Sequence, residues 1–117
     1  MKKICNNCTE WRNDEGRRHR LDGPAIEWTD GDKEWWLNGR LHRLKGPAIE
    51  YNDAIKWTDG YREWWLNGKR HRLDGPAIER FNGYKEWWIN GSQHSEEEWF
   101  NLLTEDEKLN YILKGEK

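Results

Sequence analysis

The stretch GPAIEWTDGDKEWWLNGRLHR, residues 23–43, decides the fold because its pattern recurs along the chain. GPAIE returns at residues 46–50 and 75–79, and each copy is followed by Glu-Trp-Trp and then Asn-Gly. Self-similarity with a period of this length is typical of repeat proteins, in which one small unit packs on the next. We therefore expect the fold to be an array of copies of one unit.

Each copy contains two dipeptides that are typical of β-hairpin turns. Asp30-Gly31 and Asn38-Gly39 represent them in the first copy, and the later copies carry equivalents. Such pairs favour two-residue type I′ turns, which need positive φ at both central residues. Six of these turns predict a mainly β fold, α+β overall, in which repeated hairpins form an antiparallel meander in one twisted sheet.

Counting outward from two-residue turns predicts which residues lie opposite each other. Across Asp30-Gly31, Glu27 would face Glu34, and across Asn38-Gly39, Glu34 would face Arg43. Since opposed residues share a face of a sheet, one face is expected to hold the core, with Ile26, Trp28, Trp35, Leu37, His42 and Leu44. The other face would mix Trp36 with charged residues, and the same division recurs in the later copies, with Trp64 and Trp87 in the core and Trp65 and Trp88 outside it.

The composition fits a single domain of 117 residues with an aromatic core. Hydrophobic residues make up only 34% of the chain and charged residues 36%, but ten tryptophans can each bury a large area. We assign residues 1–9 to an N-terminal segment, 10–94 to the repeats with a six-residue insertion near 48–53, and 95–114 to helices. Ser95 and Thr104 have the character of N-caps, so one or two short C-terminal helices should cap the sheet.

The pattern of Gly31, Trp36, Asn38-Gly39 and His42 resembles that of MORN-like hairpin repeats, although Arg43 stands where that family commonly has glycine. The His-Arg-x-x-Gly-Pro-Ala form is similar to repeats in uncharacterised proteins of bacteriophages and large viruses. The resemblance covers about residues 10–94. It implies a binding platform for proteins or lipid headgroups, and a phage protein that acts in the host cytoplasm.

Two sets of residues could suggest a metal site. Cys5 and Cys8 have the spacing of zinc ligands and His19 could add a third, but no fourth ligand is apparent. Two reduced thiols near the chain end are the simpler interpretation. The repeated histidines would lie too far apart to share one ion, so we interpret them as structural and expect no cofactor.

The sequence contains no motif typical of an enzyme. Glu27 and Glu34 could be an acid–base pair, but the pair is copied with the repeat, whereas a catalytic group needs one particular environment. Phosphate-binding loops and motifs that place a nucleophile beside a base are also missing. We therefore predict a protein without catalytic activity.

A binding function is the remaining expectation. The net charge of −2 argues against bulk nucleic-acid binding, and no segment is apolar enough for membrane insertion. An exposed row of Trp beside basic residues would suit a protein partner, in particular a host protein that this chain inhibits. The partner could instead be a small nucleotide, held by stacking and phosphate contacts, or a second copy of the chain in a homodimer. Activity as a hydrolase or nuclease is the least favoured alternative. The candidate binding residues are Trp36, Trp65, Trp88, Arg43, Arg72 and Lys56.

Overall fold

The computed structural model describes residues 1–51, 60–80 and 82–114. Within these ranges the chain forms short β-strands followed by two helices. In chain order they are β1 (Lys2–Ile4), β2 (Cys8–Trp11), β3 (Ile26–Trp28), β4 (Lys33–Glu34), β5 (Trp36–Leu37), β6 (Arg40–Leu41), β7 (Ile49–Tyr51), β8 (Tyr61–Glu63), β9 (Trp65–Leu66), β10 (Lys69–Arg70), β11 (Ile78–Arg80), β12 (Lys85–Ile89), β13 (Ser92–His94), α1 (Glu96–Leu102) and α2 (Glu105–Lys114).

In the described part of the chain, the main sheet has nine antiparallel strands in the order β1-β2-β3-β4-β7-β8-β11-β12-β13. This order follows the chain, so the predicted meander and the mainly β class are confirmed. The remaining strands form two separate two-stranded ladders, β5-β6 and β9-β10. The single sheet of the prediction is therefore one large sheet with two small hairpins beside it.

The Asn-Gly turns are of the predicted type. Asn38 has φ 50° and Gly39 φ 78°, which is the positive pair that a type I′ turn requires. Leu37 lies opposite Arg40, and Trp36 opposite Leu41, as counting from the turn predicts. Asn67 and Asn90 have the same positive φ, so all three Asn-Gly hairpins are built alike.

The Asp30-Gly31 turn differs from the prediction. Trp28 N–H donates to Asp32 O and Gly31 N–H to Trp28 O, at 2.9 and 3.0 Å, and only Gly31 has positive φ. These contacts describe a three-residue loop closed by a glycine bulge. Ile26 consequently lies opposite Glu34 instead of Trp35, and Glu27 opposite Lys33. A shift of one residue exchanges the faces of a strand, so the predicted division of side chains across this turn is wrong.

The core follows the observed register. The Ala-Ile pairs of the three GPAIE copies are buried, whereas Leu44, predicted to be core, is 78% exposed. Among the three tryptophans assigned to the core only Trp87 is buried; Trp35 and Trp64 are half-buried. The core of the main sheet is therefore a thin layer of Ala and Ile side chains.

The Asn-Gly hairpins are also bonded to one another. Gly68 N–H donates to Leu41 O at 2.9 Å, and Arg43 N–H donates to Trp65 O at 3.1 Å. Equivalent bonds join the neighbouring hairpins, from Gly39 to Arg18 and from Gly91 to Arg70. Each unit is thus connected to the next both through the main sheet and through its side hairpin.

The six extra residues of the second copy lie later than predicted. Ile49–Tyr51 forms β7, which pairs with β4 and β8 as the regular strand of its unit, with Ile49 opposite Glu63. Residues 49–51 of the predicted range near 48–53 therefore belong to the regular strand, and by sequence the six extra residues fall between Tyr51 and Gly60. Residues 52–59, which include the candidate binding residue Lys56, lie outside the described residues.

The C-terminal helices begin at the predicted caps. Ser95 accepts a hydrogen bond from Glu98 N–H while the Glu98 carboxylate accepts from Ser95 N–H, which completes a capping box. Thr104 and Glu107 form the same reciprocal pair. The two helices pack on the last hairpin through Trp99 and Leu103, both buried against Trp87. We call residues 95–114 the helical cap.

Candidate binding surface

The His-Arg-x-x-Gly-Pro motif builds a stack of arginine on tryptophan. The Arg43 guanidinium carbon lies 3.7 Å from the centre of the Trp35 ring, and the group donates to Pro47 O at 3.1 Å and to Glu50 at 2.6 Å. Such contact between a cation and an aromatic face is favourable, and most so where water is excluded. Arg20 on Trp11 and Arg72 on Trp64 repeat the arrangement at 3.8 and 3.6 Å. We call these three contacts the Arg–Trp stacks.

The glycine of the motif makes room for the arginine. A Cβ on Gly46 would lie 3.0 Å from the guanidinium carbon of Arg43, and one on Gly75 would lie 2.7 Å from that of Arg72. Sequence reasoning missed the stacks. The signal was available, because Arg, Gly, Pro and Glu are copied together in residues 20–27, 43–50 and 72–79, which is the set that the stack requires.

The structure separates the predicted binding residues. Arg43 does not face Glu34 as expected. The guanidinium groups of Arg43 and Arg72 lie on Trp35 and Trp64 instead of on the rings of Trp36, Trp65 and Trp88. The basic neighbours of that row are Arg18, 5.2 Å from the Trp36 ring, and Arg70, 5.0 Å from the rings of both Trp65 and Trp88. A shallow cleft of about 310 Å³ lies between those two rings.

The row of Trp36, Trp65 and Trp88 is anchored to acidic residues. Each indole N–H donates to the glutamate two positions earlier, at 2.8, 2.7 and 2.8 Å. All three side chains are half-buried. These hydrogen bonds fix each ring against its own strand, so the row is a structural feature of the repeat as well as a partly accessible surface.

The acidic side of the row is fully paired. Glu34 also accepts from the Tyr51 hydroxyl, Glu63 from Tyr61, and Glu86 from Tyr84. Burial raises the pKa of Glu86, but its bonds to Tyr84 and Trp88 outweigh burial and leave that pKa below the usual value. The Glu27–Glu34 acid–base pair does not exist: Glu34 lies opposite Ile26, and Glu27 pairs with Arg20 at 3.0 Å.

The histidines join consecutive units. Nδ1 of His42 accepts a hydrogen bond from the backbone N–H of Asn67 at 3.0 Å, and His19 and His71 accept in the same way from Asn38 and Asn90. Each imidazole therefore fixes the turn of the following hairpin. This position supports the structural interpretation of the repeated histidines.

Cys5 and Cys8 form a disulfide, so the expected free thiols are not present. The bond removes both sulfur atoms from the weak zinc set with His19. In residues 1–51, 60–80 and 82–114 there is no group of three or more side chains placed to hold a metal ion. The disulfide instead closes the turn between β1 and β2, where Cys5 N–H donates to Cys8 O at 3.0 Å.

Two open grooves run between the loops that carry the motif. Groove 1, about 700 Å³, has Trp35 and Leu37 as its floor and the loops at Leu21 and Leu44 as its walls. Groove 2, about 670 Å³, has Trp64 and Leu66 as its floor and the loops at Leu44 and Leu73 as its walls; Glu107, Asn110 and Lys114 of α2 border it. Both grooves offer apolar surface beside basic side chains.

The third equivalent position is filled by the chain itself. There the floor residues are Trp87 and Ile89, and the helical cap covers them with Trp99, Leu103, Phe100 and Tyr111. Trp99 is completely buried, 4.6 Å from Trp87 between ring centres, and its indole N–H donates to Arg72 O at 2.8 Å. Ser95 stands where Arg43 and Arg72 stand in the earlier units, so Trp99 covers the indole that an arginine covers elsewhere.

Comparison of the chain with family models, with curated proteins and with solved structures finds no match. No helix in the described part of the chain has the length and apolar character needed to cross a membrane.

Proposed function

We propose that this chain is a protein-binding module without catalytic activity, and that it binds its partner in grooves 1 and 2. One observation carries the proposal: the leucine that follows His-Arg is packed under the helical cap at Leu73, whereas the equivalent Leu21 and Leu44 are 84% and 78% exposed. Exposed apolar side chains grouped around a groove are typical of interaction sites.

The repeat supports a protein as the ligand. Grooves 1 and 2 are adjacent and share the loop at Leu44, so they offer one broad surface, as protein interfaces require. The resemblance to repeat proteins of bacteriophages and large viruses favours a host protein that the bound module would inhibit.

The nucleotide alternative has less support. It needed Arg43, Arg72 or Lys56 to meet the phosphate of a base stacked on Trp36 or Trp65. Arg43 and Arg72 are instead committed to the stacks on Trp35 and Trp64, and both grooves are open rather than enclosed.

A photo-crosslinking amino acid at position 44 tests the proposal. The chain would be expressed in a candidate host, and the crosslinked protein identified by mass spectrometry, purified and titrated calorimetrically. We expect the double variant Leu21→Asp/Leu44→Asp to bind it at least about tenfold more weakly. The matched control is Ile4→Asp, because Ile4 is 77% exposed and distant in the chain from both grooves.

The control should bind like the wild type. Equal affinity of the double variant and the wild type for the purified partner would refute the proposal. Because all three leucine and isoleucine positions are exposed, circular dichroism should show the same fold in every variant.

A further inference from the structure

The structure contains a template for what occupies the open grooves. The helical cap lies on the third position of the repeat, where it makes three specific contacts. The Trp99 ring packs on Trp87, the Trp99 N–H donates to Arg72 O, and Lys114 donates to the Asp74 carboxylate at 2.9 Å. The same backbone recurs twice without a cap, and there the guanidinium groups of Arg43 and Arg72 lie on the floor rings of Trp35 and Trp64.

In the open units, the acceptor that corresponds to the template's receives no hydrogen bond from the described part of the chain. The carbonyl oxygens of Arg20 and Arg43 correspond to that of Arg72, and no residue in the described ranges donates a hydrogen bond to them. An aromatic side chain with an N–H or O–H group would satisfy one of them while its ring covers apolar surface. Aromatic residues are also favoured beside the guanidinium groups of Arg43 and Arg72.

Charge distinguishes groove 2 from the template. The loop residue that Lys114 contacts in the template is Asp74, but the equivalent residue beside groove 2 is Lys45. Lys45 is exposed and forms no ion pair with the residues that the structure describes. An occupant of groove 2 placed like the helical cap therefore meets a positive charge where the cap meets a negative one.

We propose, resting on the binding function proposed above, that the occupant of groove 2 is an amphipathic helix of a partner protein. This helix carries a carboxylate that faces Lys45 and an aromatic residue that donates to Arg43 O and packs on the part of the groove floor that Arg72 leaves uncovered. It packs beside α2, whose Glu107, Asn110 and Lys114 already border the groove. It thus extends the layer of helices that the cap begins.

The chain's own cap supplies the probe. A fluorescent synthetic peptide with the sequence of residues 95–114 and its Lys114→Glu form are titrated against the full-length protein by fluorescence anisotropy. The protein is used as wild type and as Lys45→Asp, which restores the Leu-Asp-Gly loop that folds at residues 21–23 and 73–75. These four combinations form a double-mutant cycle.

We expect the wild type to bind the Lys114→Glu peptide about fivefold more tightly than the unchanged peptide, and Lys45→Asp to reverse that preference. A Trp99→Ala form of the Lys114→Glu peptide should bind the wild type at least about tenfold more weakly. The Leu44→Asp protein should bind every peptide at least about tenfold more weakly than the wild type does. Ile4→Asp protein should bind like the wild type.

Three results would overturn the inference: no binding of either peptide, a peptide preference that Lys45→Asp leaves unchanged, or binding that Leu44→Asp leaves unchanged. Self-association of the wild-type chain in light scattering that Leu44→Asp abolishes would overturn it too, because a second copy would then be the occupant. Failure here while the crosslinked partner still requires Leu21 and Leu44 would leave the proposed function standing.

Discussion

The last hairpin and the two before it have the same floor but different covers. Trp87 is covered by the indole of Trp99 and is 8% exposed, whereas Trp35 and Trp64 are covered by the guanidinium groups of Arg43 and Arg72 and remain half-buried. An arginine can cover an aromatic face while its charged end meets water and carboxylates. The repeat can therefore stay open along its length and be closed at one end.

This difference teaches how a short repeat array can be both stable and accessible. A terminal repeat needs a cap because no further unit covers its apolar side. The helical cap serves that purpose, and it has room because the small Ser95 stands at the position of the stacking arginine. The open units keep the arginine and so keep a groove.

The largest expected effect comes from removing the cap's main contact. Trp99→Ala deletes a fully buried indole and its hydrogen bond to Arg72 O, so the free energy of unfolding should fall by about 3–5 kcal/mol. Urea denaturation followed by circular dichroism measures it. Leu102→Ala is the control, because Leu102 belongs to the same helix but is 60% exposed; equal losses in the two variants would mean that the cap does not stabilise the last hairpin.

A smaller effect compares two copies of one position. Leu73 packs against the cap and Leu44 is exposed, so Leu73→Ala should lower the free energy of unfolding by about 1–2 kcal/mol and Leu44→Ala by less than about 0.5 kcal/mol. The two variants remove the same atoms from the same loop. Denaturation curves that coincide would show that the cap leaves Leu73 as accessible as Leu44.

The sequence predicts the meander and the Asn-Gly hairpins correctly, because an Asn-Gly pair constrains φ at both of its residues. It does not distinguish the Asp30-Gly31 turn from them. There the Asp30 carboxylate accepts a hydrogen bond from Asp32 N–H at 3.0 Å, and the loop takes one more residue. Because of that extra residue, Ile26 lies opposite Glu34 instead of Trp35. Each prediction of a sheet face that was counted across this turn is therefore affected.

The candidate site was predictable only in part. Counting residues identified Trp36, Trp65 and Trp88 as a separate set from Trp35, Trp64 and Trp87, and the structure keeps them apart. Counting residues could not show that the Arg43 side chain reaches past its own hairpin to Pro47 and Glu50, since a long side chain can contact several strands. The grooves depend on those arginine positions, which is why they were not predicted.

The smallest effect concerns the histidine that joins the open units to the closed one. Nδ1 of His71 accepts the N–H of Asn90 in the last hairpin, and a protonated Nδ1 cannot accept a hydrogen bond. Burial lowers the pKa of His71 below its ordinary value, against a smaller opposing effect of Glu107. The folded chain then binds this proton less tightly than the unfolded chain does. Stability should be unaffected by His71 above about pH 6.5 and should decrease as the pH falls through that value.

We expect this loss to be roughly 0.5 kcal/mol, the size of one partly exposed hydrogen bond. His71→Gln removes the titrating group, so the wild type should lose more stability than this variant between pH 7.5 and pH 5.5 in urea denaturation. An NMR titration of the His71 ring gives an independent measurement. A midpoint at or above pH 6.5 would contradict the prediction, because it would mean that the junction between the open and the closed units tolerates a charged imidazole.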